Sequence, residues 1–439
     1  MTLEQLSELL RRMQQALPEN LPGRAGFRRI SLTLSLTDSA SLLPWLAAQP
    51  VWPQFYWQHR DESEEAAVCG RLLGFSHMAD ARTFLQHKAV ADSVRIWGLN
   101  AFNAEKDGGT SFLFLPRIEL LRRGARLEVS VNLFSERSLR EDAREACAFI
   151  AALRSPRALP PLDAVIAAQQ HLPGRLDWIA LVRRALRMID AGDMEKVVLA
   201  RATRLQLVAP LAAATLMGAS RAVNHRCFHF MLIQREHQAF LGSSPERLYR
   251  RSDNQLETEA LAGTVVSDND AQRAQALADW LLQDEKNQCE NMLVVDDICQ
   301  RLRQSALTLD VMPAEVIRLR KVQHLRRAIQ AGLRTASDSD CLLALQPTAA
   351  VAGLPRRAAM RFIREHEPFA RGWYAGSAGY LSRRQSEFCV ALRSARLNEQ
   401  TLELYAGAGI VAGSDPEQEW QELENKAAAL KSLLAADMS

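Results

Sequence analysis

The sequence lacks a strong charge of either sign. Its 54 Lys and Arg stand against 51 Asp and Glu, a formal net charge of +3. A field that weak does not recruit nucleic acid or an anionic membrane by charge alone. It also lacks paired cysteines. The seven present (Cys69, Cys147, Cys227, Cys289, Cys299, Cys341, Cys389) are scattered, with no CxxC. That excludes a disulfide framework and a zinc site, and it suits a reducing compartment. Long hydrophobic runs are missing too. The most apolar window, Cys147 to Leu153, is far too short to span a bilayer. At the N-terminus, Leu3, Leu6, Leu10, Met13 and Leu17 recur at helical spacing among Glu, Arg and Gln. This is an amphipathic helix without the apolar core of a signal peptide. The expectation is a cytoplasmic protein with no nucleic-acid or membrane partner. No internal repeat or low-complexity tract is present.

What the chain does have is the composition of a folded globule: 48% hydrophobic and 24% charged over 439 residues. Residues 1–155 mix helix and strand signals. Arg28 to Leu36 and Arg126 to Phe134 alternate at period two and read as strands. The segment QPVWPQFYWQHRD reads as an edge strand or an ordered loop, and LREDAREACAFIAALRS as a helix. The Pro-rich stretch Ser155 to Val165 is the best linker candidate. Beyond it, strands multiply: KVVLARATRLQL, FHFMLIQ, AFLGSSPERLYRR, QLETEALAGTV, EFCVALRSARL and TLELYAGAGIV among them. Helices are expected at about 271–304, 357–367 and 416–435. Strands outnumber helices without βαβ alternation. That favours an α+β fold of large antiparallel sheets, packed as a sandwich flanked by helices, over a doubly wound parallel sheet.

Four features carry chemistry. On the last helix, Asp415 is a plausible N-cap and Pro416 opens the helix. Glu419, Glu422 and Lys426 flank its apolar stripe. They form either a solvated face with a Glu–Lys pair worth about 0.3–0.5 kcal/mol, or part of a site. In DEKNQCENMLVVDDICQRL, Glu290 shares a face with Val294 and Ile298. A carboxylate there sits at the wet end of its helix or is a ligand. Two carboxylates from two helices, completed by waters and an anionic substrate, would suit Mg²⁺. Ala375 to Leu381, Glu259 to Val265 and Leu404 to Asp415 are strands unusually rich in Gly and Ala. Three such strands point to a ligand cleft; bulges are the plainer alternative. AGAGIVAG misses the dinucleotide fingerprint, because its third Gly falls one residue late. Finally, RLRKVQHLRR (Arg318 to Arg327) is basic, but its alternation with apolar residues reads as a strand leading into a helix rather than a nucleic-acid patch. Lys196, which opens KVVLAR, is on its own only a lysine at a strand start.

Together these segments resemble the chorismate-utilising enzymes. KVVLAR, GSSPERL, EALAGTV, EKNQCENMLVVDDI, KVQHL, LQPTAAVAGLP, WYAGSAGY, EFCVALRSA and YAGAGIVAGSDPEQEWQELENK follow the family's order. The N-terminal segments PQFYWQHRDESEEAAV and RIWGLNAF resemble the isochorismate synthases of menaquinone biosynthesis. The resemblance implies an anthranilate synthase component I-like fold. Residues 1–155 would pack into the same fold as a chorismate-binding catalytic region at 170–436. It implies an isomerase that adds water at C2 of chorismate and removes the C4 hydroxyl. By resemblance, Lys196 activates the water and Glu246 protonates the leaving hydroxyl. Lys196 must then be partly neutral, and Glu246 must keep its proton near neutral pH. Glu290 and Glu422 match Mg²⁺ ligands, with Glu419 as a water-mediated partner. Thr264, His324, Tyr380, Arg393, Gly407, Gly409 and Lys426 match substrate-binding positions. Aminodeoxychorismate synthases carry a lysine where this chain has Ala262, so the covalent amination route looks closed. Anthranilate synthases generally lack the lysine that Lys196 supplies. Salicylate synthases share Lys196 and Glu246, and these motifs do not separate them. The resemblance is compatible with a monomer or a homodimer.

Overall fold

The computed structural model describes residues 3–17, 21–36, 41–103 and 111–434. Two long antiparallel ladders run through it. The first starts at Gly26–Ser35 and passes through Arg126–Ser135, Phe112–Arg123, Glu64–Phe75 and Gln54–Gln58. It continues through Phe228–Arg235, Gln238–Ser244, Ser394–Asn398 and Thr401–Val411 to Lys196–Leu207 and Ile166–Leu172. The second runs from Ile96–Asn100 through Ser377–Leu381, Gln385–Val390, Arg247–Ser252 and Gln255–Val266 to Val322–Leu333. Both meet on Phe112–Arg123, which pairs with Glu64–Phe75 and with Ile96–Asn100. Each ladder therefore joins strands from the two sides of the Pro-rich stretch, at the pairings of Gln54–Gln58 with Phe228–Arg235 and of Ile96–Asn100 with Ser377–Leu381.

Period-two alternation sorts side chains between two cores. Phe55, Trp57, Val68, Phe228, Phe230 and Phe240 of the first ladder share one core with Trp97, Tyr249 and Phe388 of the second. Their neighbours Tyr56, Cys69, Met231 and Leu241 face the other way, into a core closed by helices. The N-terminal helix Leu3–Ala16 supplies Leu6, Leu9, Leu10 and Met13 to that second core. Each such side chain stabilises the fold by about 1.5–3 kcal/mol on full burial.

Three elements differ from the sequence reading. Gln54–Gln58 is an inner strand, fully buried and paired on both sides. Pro53 lies just before its first paired residue and removes no ladder bond. The basic segment at 318–327 forms a hairpin, Glu315–Arg318 against Val322–Leu333, not a strand entering a helix. Its apolar alternation simply continues past the turn. The span 271–304 holds two helices, Ala271–Gln283 and Glu285–Leu302. Asp284 separates them, and its side chain accepts from the Asn287 N–H as the second helix's N-cap. The last helix is observed over Pro416–Leu434, capped by Asp415, which accepts from the N–H groups of Glu417 and Gln418. Residue 435 lies outside the described residues.

Candidate active site

A cavity of about 270 Å³ is lined by strands of both ladders. Its floor is the start of Lys196–Leu207 beside Thr401–Val411, in the register Lys196 to Val411 and Val198 to Gly409. Lys196 is 2% exposed, and its Nζ lies 2.9 Å from Glu290 Oε1. Gly409 makes room for it, since a Cβ there would stand 3.1 Å from Lys196 Cε. At Gly407 a Cβ would come within 2.7 Å of the Tyr374 hydroxyl. The absence of a side chain at Gly407 and Gly409 thus leaves room for Tyr374 and Lys196 in the cavity.

Glu246 lines the same cavity, in the break between Gln238–Ser244 and Arg247–Ser252. It is 3% exposed. Burial, reinforced by the nearby Glu259 carboxylate, pushes its pKa up to about 8 against the opposing pull of Lys196 and Lys426. It is a carboxylic acid that keeps its proton at neutral pH.

A third wall is polar and basic. Thr264 and His324 are cross-strand partners, reached after a bulge between Leu261 and Thr264 where Gly263 takes φ +85°. His324 Nε2 lies 3.1 Å from Arg393 Nη2, and His324 Nδ1 lies 2.9 Å from Thr264 Oγ1. The guanidinium can only donate, so Nε2 accepts and Nδ1 carries the proton. Burial and the charges of Arg393 and Lys426 hold this imidazole well below its ordinary pKa, neutral as that tautomer needs. Among the described residues no carboxylate pairs with Arg393. Its burial depresses its own pKa. A buried guanidinium without a counter-ion suits a planar carboxylate from outside the chain.

The C-terminal helix closes the mouth. Lys426 Nζ donates to the Gly407 carbonyl at 2.9 Å and lies 2.7 Å from Glu422 Oε1. Glu419, Glu422 and Glu290 all line the same space. Burial works against the Glu290 carboxylate, but the charge and hydrogen bond of Lys196 outweigh it and lower its pKa. Glu419 goes the other way. Burial, with the charges of Glu422 and Glu290, pushes it up to about 7. Acidic groups so crowded that one resists ionising fit a site that takes a cation. The donors are carboxylate oxygens, as Mg²⁺ prefers. Among the described residues, no three acidic, histidine or cysteine side chains stand close enough to hold an ion unaided. An ion here would keep waters or substrate oxygens in its shell.

One sequence expectation needs correcting. Tyr380 does not line the cavity. It is a buried strand residue opposite Trp97, with ring centroids 4.9 Å apart and the Arg95 guanidinium 3.8 Å above its ring. The tyrosine of WYAGSAGY that faces the cavity is Tyr374, stacked on Tyr405 at 5.2 Å. Tyr374 lies in the turn just before the strand Ser377–Leu381, and Tyr380 lies within that strand. Sequence reasoning also missed Asn287 and Asn291. Asn287 Oδ1 accepts from Thr264 N–H at 3.1 Å. Asn291, fully buried, donates to the Ala260, Ala262 and Leu325 carbonyls and accepts from Arg327. The two amides are four residues apart on one helix face and bracket Glu290. That spacing was the available signal.

A family model described as chorismate binding enzyme matches residues 12–435. The chain belongs to the chorismate-binding enzyme family. Within that family it is 52% identical over 433 residues to isochorismate synthase MenF of Escherichia coli (strain K12), covering 98% of this chain and 99% of that protein. The solved structure of the menaquinone-specific isochorismate synthase from Escherichia coli superposes with a TM-score of 0.95 over 98% of this chain and 99% of that one. Anthranilate synthase component I from Streptococcus pneumoniae TIGR4 superposes at 0.67 with 22% identity, covering 92% of each chain. That last likeness establishes the shared chorismate-binding fold alone.

Proposed function

We propose that this protein is an isochorismate synthase, an isomerase that converts chorismate to isochorismate for menaquinone biosynthesis. Identity of 52% across essentially the whole of both chains supports the reading. The observation that carries it is that Lys196 and a protonated Glu246 line one cavity.

In this reading the substrate dianion lies between the two. Arg393 takes a carboxylate through its planar fork, with the neutral His324 fixing the guanidinium and Thr264 fixing the imidazole. Lys196 accepts the proton of a water that attacks C2. A bond forms from the water oxygen to C2, the two ring double bonds shift, and the C4–O bond breaks. Glu246 gives its proton to the departing oxygen, which leaves as water. Each such proton transfer contributes about 10²–10⁴-fold. Lys196 is held by Glu290 in the geometry described, so its proton must be given up before it acts. Glu290 and Glu422 would hold Mg²⁺, with Glu419 reaching it through water. Bound there, the ion supplies positive charge that anchors an anionic carboxylate. Ala262 lines the cavity where a covalent amination enzyme would need a nucleophile. The enzyme works in a reducing, cytoplasmic setting, as its seven free cysteines suit.

The test is to incubate the purified protein with chorismate, with Mg²⁺ or with EDTA, and separate the products. The expected outcome is isochorismate without pyruvate, abolished by EDTA. Salicylate with stoichiometric pyruvate would replace this reading by a salicylate synthase. Undiminished turnover in EDTA would remove the metal from it.

A further inference from the structure

The hairpin turn between Gln54–Gln58 and Glu64–Phe75 reaches across to the catalytic wall. Arg60, on that turn, donates from Nη1 to the Pro245 carbonyl at 3.0 Å. The same guanidinium grips Glu259 with both nitrogens, at 2.6 and 2.9 Å. Glu259 Oε1 in turn accepts from the Arg247 N–H at 2.8 Å. Residues 245 and 247, on either side of Glu246, are thus tied to one ion pair. Its neighbour His59 adds a second tie. His59 Nε2 lies 3.2 Å from Glu387 Oε1, which also accepts from Arg247 Nε at 3.0 Å. The Glu246 carbonyl itself accepts from Val390 N–H.

We infer that Arg60 is a positioning residue for the reaction: through Pro245 and Glu259 it clamps the Pro245–Arg247 segment and fixes where Glu246 presents its acid. The clamp needs a guanidinium. One planar fork satisfies a carboxylate and a carbonyl together, which a lysine's single nitrogen reproduces only in part. Glu259 is 2% exposed, so Arg60 and Arg326 also supply the charge that lets it stay buried beside the acid. Arg60 lies 136 positions before Lys196 in the chain, so the N-terminal region shapes the chemistry as well as the fold. A misplaced acid costs turnover more than binding, because proton transfer tolerates little displacement.

The inference rests on the isochorismate synthase reading, so the unsubstituted protein is assayed first. No isochorismate from it would end that reading before any variant is considered. Given an active parent, kcat and KM for chorismate are measured for Arg60→Ala, Arg60→Lys and Arg117→Ala, with melting followed for each. Arg117 makes a comparable bidentate pair with Asp142 at 2.7 Å on the first ladder, and it does not line the cavity. The expected result is a 10- to 100-fold fall in kcat for Arg60→Ala with KM within threefold. Arg60→Lys should recover part of that loss, and folded Arg117→Ala should keep the parent's kcat. If Arg60→Ala does not fold, Arg60→Lys carries the test, with a kcat loss of at least threefold at unchanged KM expected. A kcat within twofold of the parent in the folded Arg60 variants would overturn the inference. So would a loss confined to KM, or an equal kcat loss in Arg117→Ala.

Discussion

The acid at Glu246 is made by its surroundings. Nothing in the tetrapeptide SPER distinguishes it from a surface glutamate; burial and the Glu259 charge do. The sign of the consequence follows. A carboxyl whose folded pKa is raised holds its proton while the unfolded chain has already lost it. Stability attributable to this group is therefore intact below the ordinary glutamate pKa and falls as pH climbs from there to about 8. Glu246→Gln removes that dependence. The variant should melt at the same temperature as the parent near pH 4.5 and above it at pH 8, while kcat falls about 10²–10⁴-fold. In the parent, kcat/KM should decline above about pH 8 as the acid is lost. Equal melting differences at both pH values would mean that Glu246 titrates normally. At this scale the sequence was informative wherever a motif was long. Lys196, Glu246, Thr264, His324, Arg393, Gly407, Gly409, Lys426, Glu290 and Glu422 converge on one cavity. Tyr380 does not: one motif held two tyrosines six positions apart, and the one that lines the cavity is Tyr374, in the turn before the strand, rather than Tyr380 within it.

At the scale of elements, the helix Glu285–Leu302 is the clearest case of position made by side chains other than those doing chemistry. Val294, Val295, Ile298 and Leu302 bury its lower turns. Its upper turn is tied to Gln255–Val266 and Val322–Leu333 by Asn287 and Asn291. Between them stands Glu290. Asn291→Ala should cost about 1–3 kcal/mol in denaturant unfolding, because it strands buried carbonyls without a donor. An unchanged unfolding midpoint would show that this amide does not hold the helix. The apolar stripe was readable in sequence. The amide pair was not, since Asn on a helix face is mostly found in solvent rather than in a core. Similarly, the glycines of Thr401–Val411 announced a close approach, but not that Lys196 and Tyr374 were the groups approaching. The second face of this site, the C-terminal helix, is seated by Trp178. Its indole donates to the Pro416 carbonyl at 3.1 Å, and its ring meets Trp420 with centroids 6.3 Å apart.

On the scale of the whole molecule, near-neutral total charge conceals a sharply sorted interior. Among the described residues Arg393 has no counter-ion. Lys196 and Lys426 are balanced by Glu290 and Glu422. Glu259 is covered by two arginines, one contributed from the far end of the chain. Periodicity located the strands but not their order in space. That order decides the site, because long-range pairings bring Gln54–Gln58 against Phe228–Arg235 and Ile96–Asn100 against Ser377–Leu381. No local pattern encodes such partners, and so the inner position of Gln54–Gln58 was missed. In the proposed reaction, water activated by Lys196 attacks chorismate in this cavity. Running the reaction in ¹⁸O-labelled water and reading early product by mass spectrometry tests this most directly. The account predicts isochorismate carrying one ¹⁸O, at the C2 hydroxyl. Unlabelled isochorismate would mean that the hydroxyl migrates within the substrate and would contradict it.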